Sequence, residues 1–182
     1  NRIVLSTFGM LNPGKGVEYA IKALPKVVEK FPNVIYLVIG ATHPNIRKEE
    51  GEEYRNFLTR EVQRLKLDNN IKFYNKYLTL EEIIQYLKAT DVYVSPTVDV
   101  GQSVSGTLSY AMGCGRPIVS TATAYANWII DETNGILVKP KNYREIAAAL
   151  MNILSDNKYI KSMSAAAYEK SRQMIWPNVA TQ

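Results

Sequence analysis

Apolar positions along the chain follow two periodicities, one typical of buried strands and the other of amphipathic helices. Six short runs are almost continuously apolar or β-branched, as parallel strands are when helices cover both faces of their sheet. These runs are Ile3–Phe8, Val34–Ile39, Ile71–Tyr74, Val92–Ser95, residues 117–120 and Gly135–Val138.

The segments between and after the runs are helical in pattern, with apolar residues every three or four positions. They cover residues 17–31, 54–65, 83–87, 143–154 and 158–174. Thr79 is followed three residues later by Glu82, the arrangement of a capping box at a helix start. The alternation predicts an α/β fold: a Rossmann-like, doubly wound parallel sheet of about six strands with a helical C-terminal tail.

Composition is that of an ordinary globular chain of about one domain, with 182 residues, 46% hydrophobic and 21% charged. The single Cys114 excludes a disulfide framework and indicates a reducing compartment. The net charge of +5 is spread along the chain, which argues against nucleic acid as a partner. The chain enters a strand at once without an initiator Met, so we expect it to be a piece of a longer protein.

Ligands of doubly wound sheets bind outside the carboxyl ends of the strands, so the loops after the strands are the candidate sites. The first loop, "FGMLNPGKG", places Lys15 just before a helix, where we expect free N–H groups and a phosphate contact. It is not a P-loop, because Gly16 stands where that pattern needs a hydroxyl residue. An ordinary turn with a solvated lysine is the alternative interpretation.

Two further loops carry candidate chemistry. In "GATHPN", Gly40 and Ala41 permit close approach of a flat base or a sugar. His43 in the same loop is a candidate for a ligand contact only, because no motif supplies the nucleophile that a catalytic histidine would activate. After the fourth strand, residues 105–107 would expose N–H groups at a helix start, where a phosphate is favoured. Gln102 just before them can both donate to and accept from a sugar hydroxyl, although a packing turn explains the glycine equally well.

Carboxylates do not form a recognisable catalytic or metal-binding set. No D-x-D pair is present to hold a divalent metal against a diphosphate, and neither H-x-x-E nor C-x-x-C spacing occurs. The acidic cluster Glu49, Glu50, Glu52 and Glu53 is expected to be a solvated helix face. We therefore predict no metal site and no cofactor.

Taken in order, the loops and strands resemble the C-terminal, donor-binding half of GT-B fold glycosyltransferases, specifically the retaining family 4, or group 1, which uses nucleotide-sugars. The resemblance is carried by "FGMLNPGKG", "VIYLVIGA", "IKFYNKYLTLEEIIQYLKATDVYVSPT", "YAMGCGRPIVST", "NGILVKP" and "IAAALMNIL". It implies that residues 1–182 are a single donor-binding domain whose N-terminal acceptor domain lies outside this sequence. The closing "IWPNVA" resembles the segment that crosses back onto that other domain.

The resemblance also implies roles for the loops. Donor phosphates would contact Gly14, Lys15, Ser105, Gly106 and Thr107, and the base would lie against Gly40, Ala41, Lys76, Tyr77 and Leu78. Gln102 and Tyr110 stand in the places of two family glutamates, associated with the donor sugar and the ribose respectively. Met10 stands where an arginine beside Lys15 is common, so this chain lacks three charges of the family pattern.

The activity implied is retaining transfer of a sugar from a nucleoside diphosphate sugar to a hydroxyl of a glycan, lipid or small molecule. The catalytic residues are unknown, and the isolated domain is expected to be inactive without its acceptor half. A catalytically inactive nucleotide-sugar-binding or partner subunit, a GT-B-like epimerase and an unrelated nucleotide-binding domain stay open as alternatives. We expect a cytoplasmic location, with membrane association through the missing domain left open.

Overall fold

The computed structural model describes residues 2–174, which build one six-stranded sheet in the order β3-β2-β1-β4-β5-β6. The strands are β1 (Ile3–Phe8), β2 (Val34–Ile39), β3 (Ile71–Tyr74), β4 (Val92–Ser95), β5 (Ile118–Thr121) and β6 (Gly135–Val138). All neighbouring strands pair in parallel. Five strands match the predicted bounds, and β5 begins one residue late because Pro117 has no N–H to contribute to the ladder.

Eight helices are found in the part of the chain that the structure describes. They are α1 (Val17–Lys30), α2 (Pro44–Glu50), α3 (Glu53–Arg64), α4 (Leu80–Lys88), α5 (Gly106–Gly113), α6 (Ala124–Ile129), α7 (Tyr143–Leu154) and α8 (Asn157–Arg172). The predicted capping box is present: Glu82 N donates to Thr79 Oγ1 at 3.3 Å, and Thr79 N donates to Glu82 Oε2 at 3.0 Å. The helical tail begins at Asn157, because the Asp156 carboxylate accepts from Lys158 N at 2.7 Å.

The sheet is covered on both faces. On β2, Val34, Tyr36 and Val38 pack among residues of α1, α3 and α7, whereas Leu37 and Ile39 pack among residues of α4, α5 and α6. This alternation follows from the two-residue period of a strand. The predicted doubly wound sheet is therefore confirmed, and its strand order reverses between β1 and β4, the position at which such folds bind ligands.

Two further observations concern membrane-spanning helices and the C-terminal segment. Within residues 2–174, no helix combines the length and the apolar character needed to cross a bilayer. The segment "IWPNVA", predicted to cross onto another domain, lies outside the described residues.

Candidate functional site

A cavity of about 410 Å³ opens beyond the carboxyl ends of β1, β2 and β3, beside the first turn of α5. Its volume falls in the range of small-molecule sites, roughly 300–1,000 Å³. The predicted site residues that line it are Lys15, Gly40, Ala41, His43, Lys76, Tyr77, Leu78 and Thr107. Parallel strands end at one edge of the sheet, so loops distant in sequence meet there.

Lys15 lies at one end of the cavity as a cation without an anion. Its Nζ atom is 3.6 Å from the point where a Cβ on Gly9 would stand, and no carboxylate of the described residues pairs with it. Burial lowers the pKa of the Lys15 ammonium from its ordinary value. A desolvated, unpaired ammonium is well placed to bind an incoming anion, because charge-assisted hydrogen bonds are strong.

Two of the first N–H groups of α1, beside Lys15, are bonded within the protein. Val17 N donates to Tyr54 Oη at 3.1 Å, and Tyr19 N donates to Gly16 O at 3.0 Å. The Tyr54 hydroxyl in turn donates to the Glu18 carboxylate. Of the first three N–H groups of α1, Glu18 N alone has no acceptor among the described residues, and the acidic side chain of Glu18 disfavours a second anion there.

The first turn of α5 supplies the free donors instead. The N–H groups of Gly106 and Thr107 have no hydrogen-bond acceptor among the residues that the structure describes. The Thr107 Cγ2 atom is 3.4 Å from the same Gly9 Cβ position that Lys15 approaches. Lys15 and the start of α5 therefore flank Gly9 from two sides, which forms a place for a phosphate group.

Two predicted phosphate residues serve the scaffold rather than the cavity wall. The Gly14 carbonyl accepts from Thr97 Oγ1 at 2.8 Å and from Val98 N at 3.0 Å, which ties the Lys15 loop to the loop after β4. Ser105 is the N-cap of α5, and its Oγ accepts from Leu108 N at 3.5 Å. Neither residue lines the cavity, and Gly106, the third predicted phosphate residue outside the lining, is exposed at the start of α5.

Backbone from two loops forms another part of the cavity wall. Gly40 has φ +141°, and Ala41 O accepts from Leu11 N at 2.8 Å. His43 Nδ1 accepts from Asn45 N at 3.3 Å, so this side chain begins α2.

The loop after β3 adds Lys76, Tyr77 and Leu78 to the cavity lining. Lys76 forms an ion pair with Glu82 at 2.7 Å, which raises the pKa of that ammonium, and Tyr77 is exposed. The cavity wall therefore combines cations and backbone donors with apolar side chains and exposed backbone.

The residues in place of the two glutamates lie beside the cavity. Tyr110 is one turn after Thr107 on α5, and its ring centroid is 6.4 Å from that of Phe8, which lines the cavity. Gln102 is half-buried, and its carbonyl accepts from Tyr125 N at 3.0 Å. Tyr110 is thus at the rim of the cavity, and Gln102 is fixed through its backbone outside the lining.

The sequence interpretation missed a charged pair behind the Gly40 loop. Glu52, expected on a solvated face, pairs with Arg55 at 3.2 Å and accepts from the Thr42 hydroxyl, and this hydroxyl is the largest cause lowering the Glu52 pKa. Arg55 lies three residues before the buried Leu58, on the apolar side of α3. A charged residue on a helix face that is otherwise apolar was the available signal.

Comparison with known proteins agrees with this fold. The chain belongs to the glycosyl transferases group 1, whose family model matches residues 2–156. It is 27% identical over 172 residues to the phosphatidyl-myo-inositol mannosyltransferase of Mycolicibacterium smegmatis, covering 93% of this chain and 40% of that protein. It is 29% identical over 180 residues to an uncharacterized glycosyltransferase of Methanocaldococcus jannaschii, covering 96% and 42%. The chain therefore spans about two fifths of these relatives.

Solved structures extend the similarity to three dimensions. The C-terminal domain of a group 1 glycosyl transferase from Francisella tularensis matches with a TM-score of 0.81 and 26% identity, covering 94% of this chain and 85% of that one. The Anabaena protein Alr3699/HepE, solved with UDP and glucose, has the same fold with a TM-score of 0.85 and 24% identity, covering 100% and 46%. The predicted family and its C-terminal GT-B fold are confirmed.

Proposed function

We propose that this domain binds a nucleoside diphosphate sugar and forms the donor half of a glycosyltransferase. The observation that carries the proposal is that the unpaired Lys15 ammonium and Thr107 both line the cavity beside Gly9, at the start of α5, where the N–H groups of Gly106 and Thr107 are free. When the bond between the sugar and the diphosphate breaks, negative charge grows on the leaving phosphate. Fixed donors at that point stabilise the charge as it forms.

The rest of the cavity fits the remaining parts of such a donor. The base would pack between the Gly40–Ala41 backbone and residues 76–78, and the Tyr110 hydroxyl would reach the ribose from the rim. Gln102 would contact the sugar. Alr3699/HepE was solved with UDP and glucose, and its common fold supports a nucleotide-sugar as the class of ligand.

The complete reaction would be transfer of the sugar, with retention at its anomeric carbon, to a hydroxyl of a glycan, lipid or small molecule. A new bond forms between the acceptor oxygen and the anomeric carbon, the bond to the diphosphate breaks, and the acceptor loses its proton. An N-terminal domain would supply the acceptor site, so residues 1–182 alone would bind the donor without turning it over. No metal or cofactor is assigned a role.

Calorimetric titration of the domain with UDP, GDP and ADP tests the proposal. We expect saturable binding of at least one nucleotide, and loss of at least tenfold in affinity for Lys15→Ala, because one charge-assisted contact is removed. Lys26→Ala is the matched control, since Lys26 is exposed on α1 away from the cavity. Absence of binding of all three nucleotides at millimolar concentration would contradict the proposal, and equal affinity of Lys15→Ala would remove Lys15 from the site.

A second candidate is a catalytically inactive nucleotide-sugar-binding or partner subunit of the same fold. The observation in its favour is that Gln102 and Tyr110 stand where carboxylates are common in the family. Full-length protein that binds a nucleotide-sugar but never releases a transferred or hydrolysed sugar would favour this candidate. Turnover of any donor would exclude it.

A further inference from the structure

Arg55 is a buried cation directly behind the cavity wall. Only 9% of the residue is exposed, although it lies on the first turn of α3. Its Nη2 atom donates to Gly40 O at 2.9 Å and to Thr42 Oγ1 at 3.3 Å, and its Nε atom donates to Glu52 Oε2 at 3.2 Å. One guanidinium therefore holds the two ends of the Gly40–Thr42 segment and the carboxylate that binds Thr42.

Stability alone is a poor explanation for a cation at this position. Burial of a guanidinium carries a desolvation penalty that a single ion pair does not reliably offset. The Glu52 side chain is still 29% exposed, and Arg55 Nη1 is buried without a hydrogen-bond partner among the described residues. An apolar side chain would fill the same space at less cost, so the geometry that Arg55 imposes is the feature to explain.

That geometry concerns the wall of the cavity. Gly40 and Ala41 line the end at which the base would pack. On the other side, Leu11 N donates to Ala41 O at 2.8 Å and His43 N donates to Leu11 O at 2.9 Å. The segment is thus held between the Lys15 loop and the guanidinium, and the Gly40 carbonyl is drawn away from the cavity towards α3.

We infer that Arg55 is a positioning residue for the nucleotide, acting through the Gly40 carbonyl to keep the Gly40–Ala41 backbone in contact with the base. The inference rests on the proposed function and deepens it. Because the bonds of Arg55 reach Gly40, Thr42 and Glu52, we expect its loss to affect the nucleoside part of the ligand and to leave the diphosphate contacts of Lys15 and Thr107 unchanged. Among the described residues, the hydrogen bonds of Arg55 and Glu52 do not reach Lys15 or the start of α5.

Three variants separate this role from a general loss of structure. Arg55→Met keeps the length of the side chain and removes the donors. Arg55→Lys keeps the charge but offers a compact ammonium in place of the planar fork. Arg60→Met is the matched control, because Arg60 is exposed on the same helix.

Affinities for UDP, GDP, ADP and inorganic pyrophosphate are measured by calorimetry at a temperature where circular dichroism shows each variant folded. For the nucleotide that binds the wild type best, we expect Arg55→Met to lose about tenfold in affinity, the equivalent of one hydrogen bond to a charged group. Arg55→Lys should recover part of that loss, and pyrophosphate affinity should stay unchanged in all variants. Amide hydrogen exchange at Leu11 and His43 should be faster in Arg55→Met than in Arg60→Met.

Several outcomes overturn the inference. Equal nucleotide affinity of Arg55→Met and wild type overturns it, and so does an equal loss of nucleotide and pyrophosphate affinity. If Arg55→Met does not fold, an unchanged nucleotide affinity in Arg55→Lys overturns the inference in its place. A wild-type domain that binds none of the nucleotides overturns the proposed function and this inference together, whereas wild-type binding that the variants retain overturns this inference alone.

Discussion

The carbonyl oxygen of Gly9 lies 2.0 Å from the point at which a Cβ atom on Gly40 would stand. The loops after β1 and β2 therefore touch backbone to backbone, and Gly9 N also donates to Ile39 O at 3.0 Å. Gly40 has φ +141°, a conformation that side chains with a Cβ rarely adopt. Space and backbone conformation both require glycine at this position.

Gly40→Ala should therefore destabilise the domain by roughly 1–3 kcal/mol, the cost of a strained backbone, and weaken nucleotide binding. Urea unfolding measures the first effect and calorimetry the second. Gly106→Ala is the matched control: a Cβ there meets nothing within 4 Å, and we expect its stability within about 0.5 kcal/mol of wild type. Equal stability of the two variants would show that the loops separate at little cost.

Lys15→Met should change the pH dependence of stability in a defined direction. Burial lowers the pKa of Lys15 in the folded state, so between that pKa and its ordinary value the unfolded chain binds more protons. Wild-type stability should therefore rise with pH across this alkaline window, relative to Lys15→Met. Unfolding free energies of the two proteins at a series of pH values give the difference directly. A difference that is constant with pH would mean that Lys15 is not desolvated.

Tyr110→Phe tests the assignment of the ribose contact. Removal of one hydroxyl should weaken nucleotide binding about fivefold, the value of a typical hydrogen bond, without altering stability, because Tyr110 is 45% exposed. Tyr168→Phe, at a tyrosine 46% exposed on α8, is the control. An unchanged nucleotide affinity in Tyr110→Phe would show that the hydroxyl does not contact the ribose and that any contribution of Tyr110 to binding comes from its ring.

Asp131→Asn should reduce the stability of the domain at neutral pH but not in strong acid. The Lys170 ammonium, 2.6 Å away, and the Thr133 hydroxyl lower the pKa of Asp131 to about 2. The carboxylate therefore contributes stability above about pH 4, where it is ionised in both states, and this is lost as the pH falls towards 2.

The effect of Asp131→Asn should be at most about 1 kcal/mol, since the pair is partly exposed. Acid unfolding followed by circular dichroism compares the two proteins. A stability difference that persists unchanged at pH 2 would contradict the ion pair as its cause.

Hydrophobic periodicity predicted the sheet because the central strands are buried on both faces, as in β4 and β5. The α2 and α6 helices were not predicted, because seven and six residues are too few to display a helical period. The cavity was accessible to prediction because the ends of parallel strands meet at one edge, which brings Lys15, Gly40 and Thr107 together. The hydrogen-bond partners could not be predicted in the same way, because they are distant in sequence. The acceptor for Val17 N, for example, is the Tyr54 hydroxyl, 37 residues away.

The first turn of α3 has a consequence for protein engineering. Tyr54 holds the start of α1, and Arg55 holds the Gly40 carbonyl, so adjacent residues of one helix brace two neighbouring loops of the cavity wall. A change of nucleotide preference by loop exchange would then fail if only the visible lining were transplanted. The smallest unit that can be moved between homologous scaffolds includes the α3 turn along with both loops, although that turn contributes no side chain to the cavity surface.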